Sequence, residues 1–358
     1  MKRLSLLDCT LRDGGYLNNW NFGEQAIRDV AFQLADAGAE IVEMGFLRDQ
    51  EYDPNRAVWR DIRMIDSFLP KGFDQIRFSV MCEMANPFPL EKLRPKEETR
   101  IDIIRVIVWK RLIPEALEYC KGIMDLGYKL SIQPDRVNQY SQEEFAEMIG
   151  CFNEMNPFSL YVVDSNGFLM RRELIEYLRT ADRVLKPGIQ LGYHGHNNMQ
   201  QAIGTAESFV ELGLERDIIV DASVMGIGRS SGNLSTEIFA KYANQFCGKA
   251  YKIPNMVEIY EKYLRPIYEM NPWGYAMHGF LTSLYQRNPN YGAYLSREAG
   301  LDLIAVNRIL AEMPEGESVI FNRAKAAQYA ENCRAARERS LELQVLRAGE
   351  NKGEEKRK

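Results

Sequence analysis

Eight short apolar runs, rich in β-branched residues, punctuate the first 226 residues of this chain, and helix-like stretches lie between most of them. The runs are LSLLDCT (4–10), EIVEMGF (40–46), QIRFSVM (75–81), IDIIRVIVW (101–109), KLSIQ (129–133), SLYVVD (159–164), IQLGYH (189–194) and DIIVDASVMG (217–226). A strand covered on both faces has no water-facing side, so near-continuous runs such as IDIIRVIVW point to a parallel sheet. After the first run, Ala26, Ile27, Val30, Ala31 and Leu34 recur at the three-to-four-residue interval of one helix face. Ala37-Gly38, Leu126-Gly127 and Leu212-Gly213 each end a helical stretch with a glycine that can take the left-handed conformation. Eight strand-helix units in about 245 residues predict an α/β chain closed into a (β/α)8 barrel, with an open doubly wound sheet as the alternative. Between the third and fourth runs, 84–100 carries two prolines in FPLEKLRP, so its helix should be short or poorly formed.

Beyond residue 246 the β-like runs stop. We therefore expect a catalytic barrel over 1–246 and a helical, aromatic-rich extension over 247–358, its tyrosines and tryptophan packing as a layer. From about 325 the sequence reads as one long charged helix, solvated or oligomer-forming. A homo-oligomer is the expectation.

Composition removes several function classes. With 46% hydrophobic and 27% charged residues the chain is ordinary for a globular enzyme. No apolar run approaches the ~20 residues of a membrane-spanning helix, and MKRLSLLDCT does not read as a signal peptide, so a cytoplasmic location without membrane contact is expected. A net charge of −5 offers no broad attraction to nucleic acid. Six cysteines with no CxxC pair argue against a zinc ribbon or a disulfide scaffold.

The chemistry gathers at run ends. Two of the three histidines stand in His194-Gly195-His196 at the end of the seventh run. Residues two apart on a strand share a face, so both imidazoles can meet one ion. Two core histidines satisfied by hydrogen bonds are the plainer reading, although a polar pair followed by Asn197-Asn198 is awkward to bury without a ligand. The first run leads into Arg12-Asp13-Gly14-Gly15. Active sites of barrels lie at the C-terminal ends of strands, so a carboxylate there can complete a metal site and a guanidinium can hold an oxyanion. Elsewhere Arg-Asp would be a surface ion pair. The eighth run enters GIGRSSGNLSTE, where Asn233 either gives an oxygen to the ion or caps the following helix. A dinucleotide fingerprint competes for this turn, but the spacing is GxGxxxG and no acid on a later strand matches.

Together DCTLRDGG, HGHNN and GIGRSSGNLSTE resemble the three signature segments of the DRE-TIM metallolyase superfamily, whose barrels are of the TIM type. Within it the 4-hydroxy-2-oxovalerate aldolase branch is the nearest match, partly because it too has a helical region after the barrel. The resemblance implies that Asp13, His194 and His196 bind a divalent cation and that Arg12 stabilises an enolate. It also puts Asn233 where the lyase and synthase branches have a further ligand.

Departures narrow the reading. The glycine-rich turn lacks the cysteine of methylglutaryl-type lyases, and Arg12-Asp13-Gly14-Gly15-Tyr16 lacks the glutamate of the synthases' RDGEQ. Where the aldolases place a histidine base, this chain has Tyr16. Candidate acid/base groups are thus Tyr16, whose hydroxyl can titrate lower beside a cation, His278 on the extension, or a metal-activated water. Glu43, Gln133, Asp135, Asp164, Ser165 and Asn166 are expected to shape a substrate pocket, with Glu43 also able to pair with Arg12 or support a ligand. The donor set suits Mn2+ or Mg2+, with Co2+ also possible. The expected substrates are a small 2-oxo acid and an aldehyde, and an aldehyde dehydrogenase is the partner suggested by the aldolase branch. An acyl-CoA Claisen-type synthase or lyase, a nucleotide-binding oxidoreductase and a non-catalytic metal-binding protein are the rival readings.

Overall fold

A computed structural model of the chain describes residues 3–318 and 320–355. The eight runs form strands β1 (Leu4–Asp8), β2 (Ile41–Leu47), β3 (Arg77–Glu83), β4 (Ile103–Val108), β5 (Lys129–Pro134), β6 (Ser159–Asp164), β7 (Gln190–Gly195) and β8 (Ile218–Ala222). Each pairs in parallel with the next, and β8 returns to β1, so the sheet closes as a (β/α)8 barrel. A two-residue strand, Val58–Trp59, pairs with the end of β2 outside the ring.

Six helices cover the barrel: α1 (Glu24–Ala37), α2 (Ile113–Asp125), α3 (Gln142–Asn153), α4 (Arg171–Val184), α5 (Ala202–Glu211) and α6 (Thr236–Phe246). The stretch between β2 and β3 holds a tighter 3₁₀ segment, Ile62–Phe68. Between β3 and β4 only two single turns form, Leu90–Lys92 and Lys96–Glu98, each entered through a proline as FPLEKLRP foretold. Gly38, Gly127 and Gly213 carry φ of +92°, +89° and +62°, the left-handed endings that the sequence required.

Two runs stop short of their expected ends, for local reasons. Cys9 leaves β1 and the chain tightens into a helical turn at Thr10–Asp13, so Arg12 and Asp13 sit on that turn and not on the strand. Residues 217–226 form a strand only to Ala222, because the backbone turns at Val224–Gly226 with Met225 at φ +54°. The turn leads into the glycine-rich loop, whose Asn233 reaches Asp13 after β1.

Strand residues alternate between the helical layer and the lumen. Leu7, Ile41, Ile103, Tyr161 and Ile219 belong to the apolar cluster inside the ring. Two residues further along their strands stand Glu43, Arg105 and Asp221, and these are joined by ion pairs. The lumen is therefore apolar at its base and charged beneath its C-terminal mouth.

Contacts divide the chain into two compact units, Met1–Tyr275 and Ala276–Lys358. Helix α7 (Ile253–Ile259) belongs to the first and continues through a π-type turn to Met270. Tyr251 and Trp273 are buried there in the main core. The second unit holds α8 (Met277–Leu284), α9 (Leu303–Glu312) and the long charged helix α10 (Arg323–Glu355), with its own core around Leu281, Tyr291, Leu295, Val306 and Leu310. Among the described residues no helix is long and apolar enough to cross a membrane.

Candidate metal centre and active site

The mouth of the barrel is built by the turns that follow β1, β7 and β8. His194 is the penultimate residue of β7, and His196, just past the strand, forms an antiparallel bridge with Asn233 from the turn after β8. The two imidazole rings lie 5.4 Å apart at 79° to one another. Asp13 comes from the helical turn after β1, and its Oδ2 is 3.6 Å from His196 Nε2. Ligand-type atoms of Asp13, His194 and His196 all lie within 4.8 Å of one another, and all three residues are buried.

Protonation suits a cation here. Burial, aided by His194, Arg229 and Arg12, overcomes the pull of Asp13 and pushes His196 down to about 3, so it is a neutral imidazole with a free lone pair. Burial alone would raise Asp13, but Arg12, the histidines and the Asn233 amide hold it well below the usual carboxylate range.

Asn233 supplies the test of fit. Its Nδ2 donates to Asp13 Oδ2 at 2.5 Å and to the Ile227 carbonyl at 3.0 Å. Both partners are acceptors, so the NH2 must face them. The amide oxygen, Oδ1, is then buried with no hydrogen-bond partner. An orphaned oxygen of that kind is costly unless something positive meets it, and a cation shared with the Asp13 and His donors would do so. The position before α6 is occupied by Ser235, so Asn233 is not that helix's cap. Gly228 completes the cradle: a Cβ there would stand 2.6 Å from Asn233 Nδ2 and 2.7 Å from Asp13 Oδ2. Only glycine lets the turn close on these two side chains.

Arg12 is fixed beside the cluster. Its Nη1 donates to Asp13 Oδ1 at 2.5 Å and its Nε to Glu43 Oε2 at 2.8 Å. Glu43 thus clamps Arg12 from β2. Fully buried Arg105 on β4 links Glu43 to Asp221, and Asp221 Oδ2 lies 3.0 Å from His194 Nδ1. A carboxylate at Nδ1 sets the tautomer that leaves Nε2 as the free donor atom. Sequence reading passed over Arg105 and Asp221. Each is a charge inside a largely apolar run, two residues past an apolar lumen position, as Glu43 is, and only the closed register shows that they meet.

The expected pocket residues divide by role. Gln133 is buried on β5 and donates to Ser131 Oγ at 3.0 Å. Asp164 is turned into its own loop, accepting from the Phe168 and Leu169 amides at 3.0 and 3.1 Å, and burial pushes it up to about 6. Ser165 donates to Asp135 Oδ1 at 2.7 Å, and Asn166 accepts from Arg229 at 2.9 Å. These contacts lock the loops after β5, β6 and β8 together. Tyr16 packs edge-on against Trp20 and Phe46. Burial pushes its phenol up to about 12 despite Arg12. His278 lies on α8 in the second unit, buried, and burial with Arg297 nearby pushes it down to about 4.

Comparison with known proteins agrees with the sequence motifs. The family model described as HMGL-like matches residues 105–255. A 4-hydroxy-2-oxovalerate aldolase of Desulfitobacterium hafniense is 26% identical over 291 residues, covering 75% of this chain and 79% of the relative. Another, from Shewanella halifaxensis, is 24% identical over 241 residues, covering 66% and 69%. The crystal structure of HMG-CoA lyase from Brucella melitensis matches with a TM-score of 0.57 at 16% identity, covering 72% of this chain and 96% of that one, a likeness of fold. The resemblance to DRE-TIM metallolyases read from DCTLRDGG, HGHNN and GIGRSSGN therefore stands.

Proposed function

We propose that this chain is a divalent-metal-dependent aldolase that cleaves or forms a carbon-carbon bond of a 4-hydroxy-2-oxo acid through a pyruvate-type enolate. The observation that carries the reading is the convergence of Asp13, His194 and His196 on one point, with the bare amide oxygen of Asn233 beside it. Those four residues would hold the ion, and a set of two nitrogens and two oxygens suits Mn2+ or Mg2+, with Co2+ also compatible. When bound, the cation supplies Lewis-acid polarisation of the 2-oxo carbonyl.

The remaining work falls to side chains. Arg12, held by Glu43 and Asp13, is preorganised to meet negative charge developing on the carbonyl oxygen, and a fixed donor of this kind stabilises the transition state more than the ground state. Asp221 orients His194, and Arg105 neutralises Asp221 and Glu43 so that the buried carboxylates do not repel one another. The relatives named 4-hydroxy-2-oxovalerate aldolases support a small 2-oxo acid as the substrate class, and an aldehyde is the other compound that such a carbon-carbon cleavage releases.

Two measurements test the proposal. Titration should show one Mn2+ per chain, lost when His194 and His196 are both replaced by alanine. Solvent deuterium should enter the methyl group of pyruvate in the presence of Mg2+, read by mass spectrometry. Metal binding without exchange would favour a non-catalytic protein, and turnover that requires coenzyme A would favour a Claisen-type reaction.

A further inference from the structure

Two carboxyl groups stand at the lip of the barrel, and their surroundings differ. On β3, Ser79, Met81 and Glu83 lie in register with Ile103, Arg105 and Ile107 of β4. Ile103 is part of the lumen cluster and Arg105 bridges the lumen carboxylates. Residues in register on parallel neighbours share a face, so Glu83, the last residue of β3, faces the lumen at its C-terminal end. Asp135 follows the last residue of β5. Both of its oxygens are engaged, Oδ1 by the Ser165 hydroxyl at 2.7 Å and Oδ2 by Arg136 Nε at 2.6 Å.

Glu83 is held far more loosely. Its nearest cation, Arg48 from the loop after β2, stands 3.7 Å away, and no hydrogen bond reaches its carboxyl among the described residues. It is about three-quarters covered, with 24% of the side chain exposed. Asp135, Arg229 after β8, and Arg12 after β1 are the other charges that act on it, and Glu83 in turn is felt by Tyr16. Arg48 is itself committed to the faces of Phe46 and Trp20, 4.2 and 4.7 Å from their centroids, and so does not close on the carboxyl. A lip carboxyl in range of Arg12 but free of hydrogen bonds can exchange a proton with substrate, whereas Asp135 would first have to break two contacts. Burial raises Glu83 from its ordinary value despite Arg48, Arg229 and Arg12, the direction that suits a general base.

We propose that Glu83 is the acid/base residue of the acceptor side, taking the proton of the 4-hydroxyl in cleavage and returning it in condensation. This assignment rests on the aldolase reading above. In cleavage the O–H bond breaks and its proton passes to Glu83, while the electron pair left on oxygen becomes the new aldehyde C=O bond. The C3–C4 bond breaks and its pair moves into the enolate of pyruvate beside Arg12. Solvent then protonates C3, and Glu83 releases its proton to water.

The test compares wild type, Glu83→Gln and Glu83→Asp in the full chain with Mg2+, using 4-hydroxy-2-oxopentanoate and, separately, pyruvate in deuterated water. Glu83→Gln should lower kcat for cleavage by about 100-fold or more. It should leave pyruvate methyl exchange and Mn2+ affinity within about threefold of wild type. Wild-type kcat/KM should rise with pH through an acidic limb that Glu83→Gln lacks and Glu83→Asp partly restores. Cleavage retained by Glu83→Gln, or cleavage and exchange lost together, overturns the assignment of Glu83 while leaving the aldolase reading in place. Absence of both reactions in wild type overturns the aldolase reading, and this assignment with it.

Discussion

Arg12 has two carboxylate partners and one position, and this makes its role separable from metal binding. Replacing it with alanine removes a cation from beside Asp13, so electrostatics gives no reason for the site to lose affinity for a divalent ion. Arg12→Ala should therefore lower turnover by about 10²–10³-fold with a much smaller change in the Kd for Mn2+ measured by calorimetry. Parallel losses in both would show that Arg12 merely shapes the metal site. Gly228 makes the opposite prediction. Its Cβ would press on Asn233 and Asp13 together, so Gly228→Ala should weaken metal binding by roughly 10–100-fold, the range seen when ligand support is disturbed. Circular dichroism should remain that of the folded barrel. An unchanged Kd would mean that the turn relaxes freely and that the close approach is incidental.

At the scale of elements, closure of the ring is tied by polar side chains between its first and last units. The Asp8 carboxyl at the end of β1 accepts from Thr236 Oγ1 at the start of α6 at 2.6 Å and from the Thr10 amide at 2.8 Å, while the Thr10 hydroxyl accepts from the Val224 amide at 2.8 Å. Burial raises Asp8 from 3.8 to about 6. The folded state then binds more protons than the unfolded state between those values, so this group's contribution to stability is full below about 4 and declines as pH rises through 6. Urea unfolding at pH 4.5 and 7 should show wild type losing ~1–3 kcal/mol relative to Asp8→Asn across that interval. Parallel curves would mean that Asp8 is not held neutral by the fold. None of this stitching could be read from sequence, because Asp8 and Thr236 become neighbours only when the ring closes. The strands themselves were legible, since a parallel strand covered on both faces leaves an apolar run whatever its partners are. Their ends were less so: ASVMG continues the apolar pattern past Ala222, and only the left-handed Met225 shows that the chain has turned. Arg105 was hidden in the same way, because one charge in IDIIRVIVW gains meaning only from the lumen register that puts it between Glu43 and Asp221.

For the whole molecule, all four proposed ligands lie in Met1–Tyr275, whereas His278 lies in Ala276–Lys358. Motif reading found the ligands because each stands in a short segment with its neighbours in the motif, whereas His278 entered as a candidate base from the extension, in NPWGYAMHGF, with no motif around it. The division predicts how ligand binding couples to stability. An ion that binds only the folded barrel at ~100 times its Kd adds about 2.7 kcal/mol, which should raise the midpoint of the barrel's thermal transition by ~5–10 °C. The double replacement of His194 and His196 by alanine should abolish that shift. His278→Ala should preserve it, whatever it does to turnover, because no proposed ligand comes from the second unit. If instead the shift disappears with His278→Ala, metal binding depends on the second unit, and a centre composed wholly of barrel residues is the wrong description.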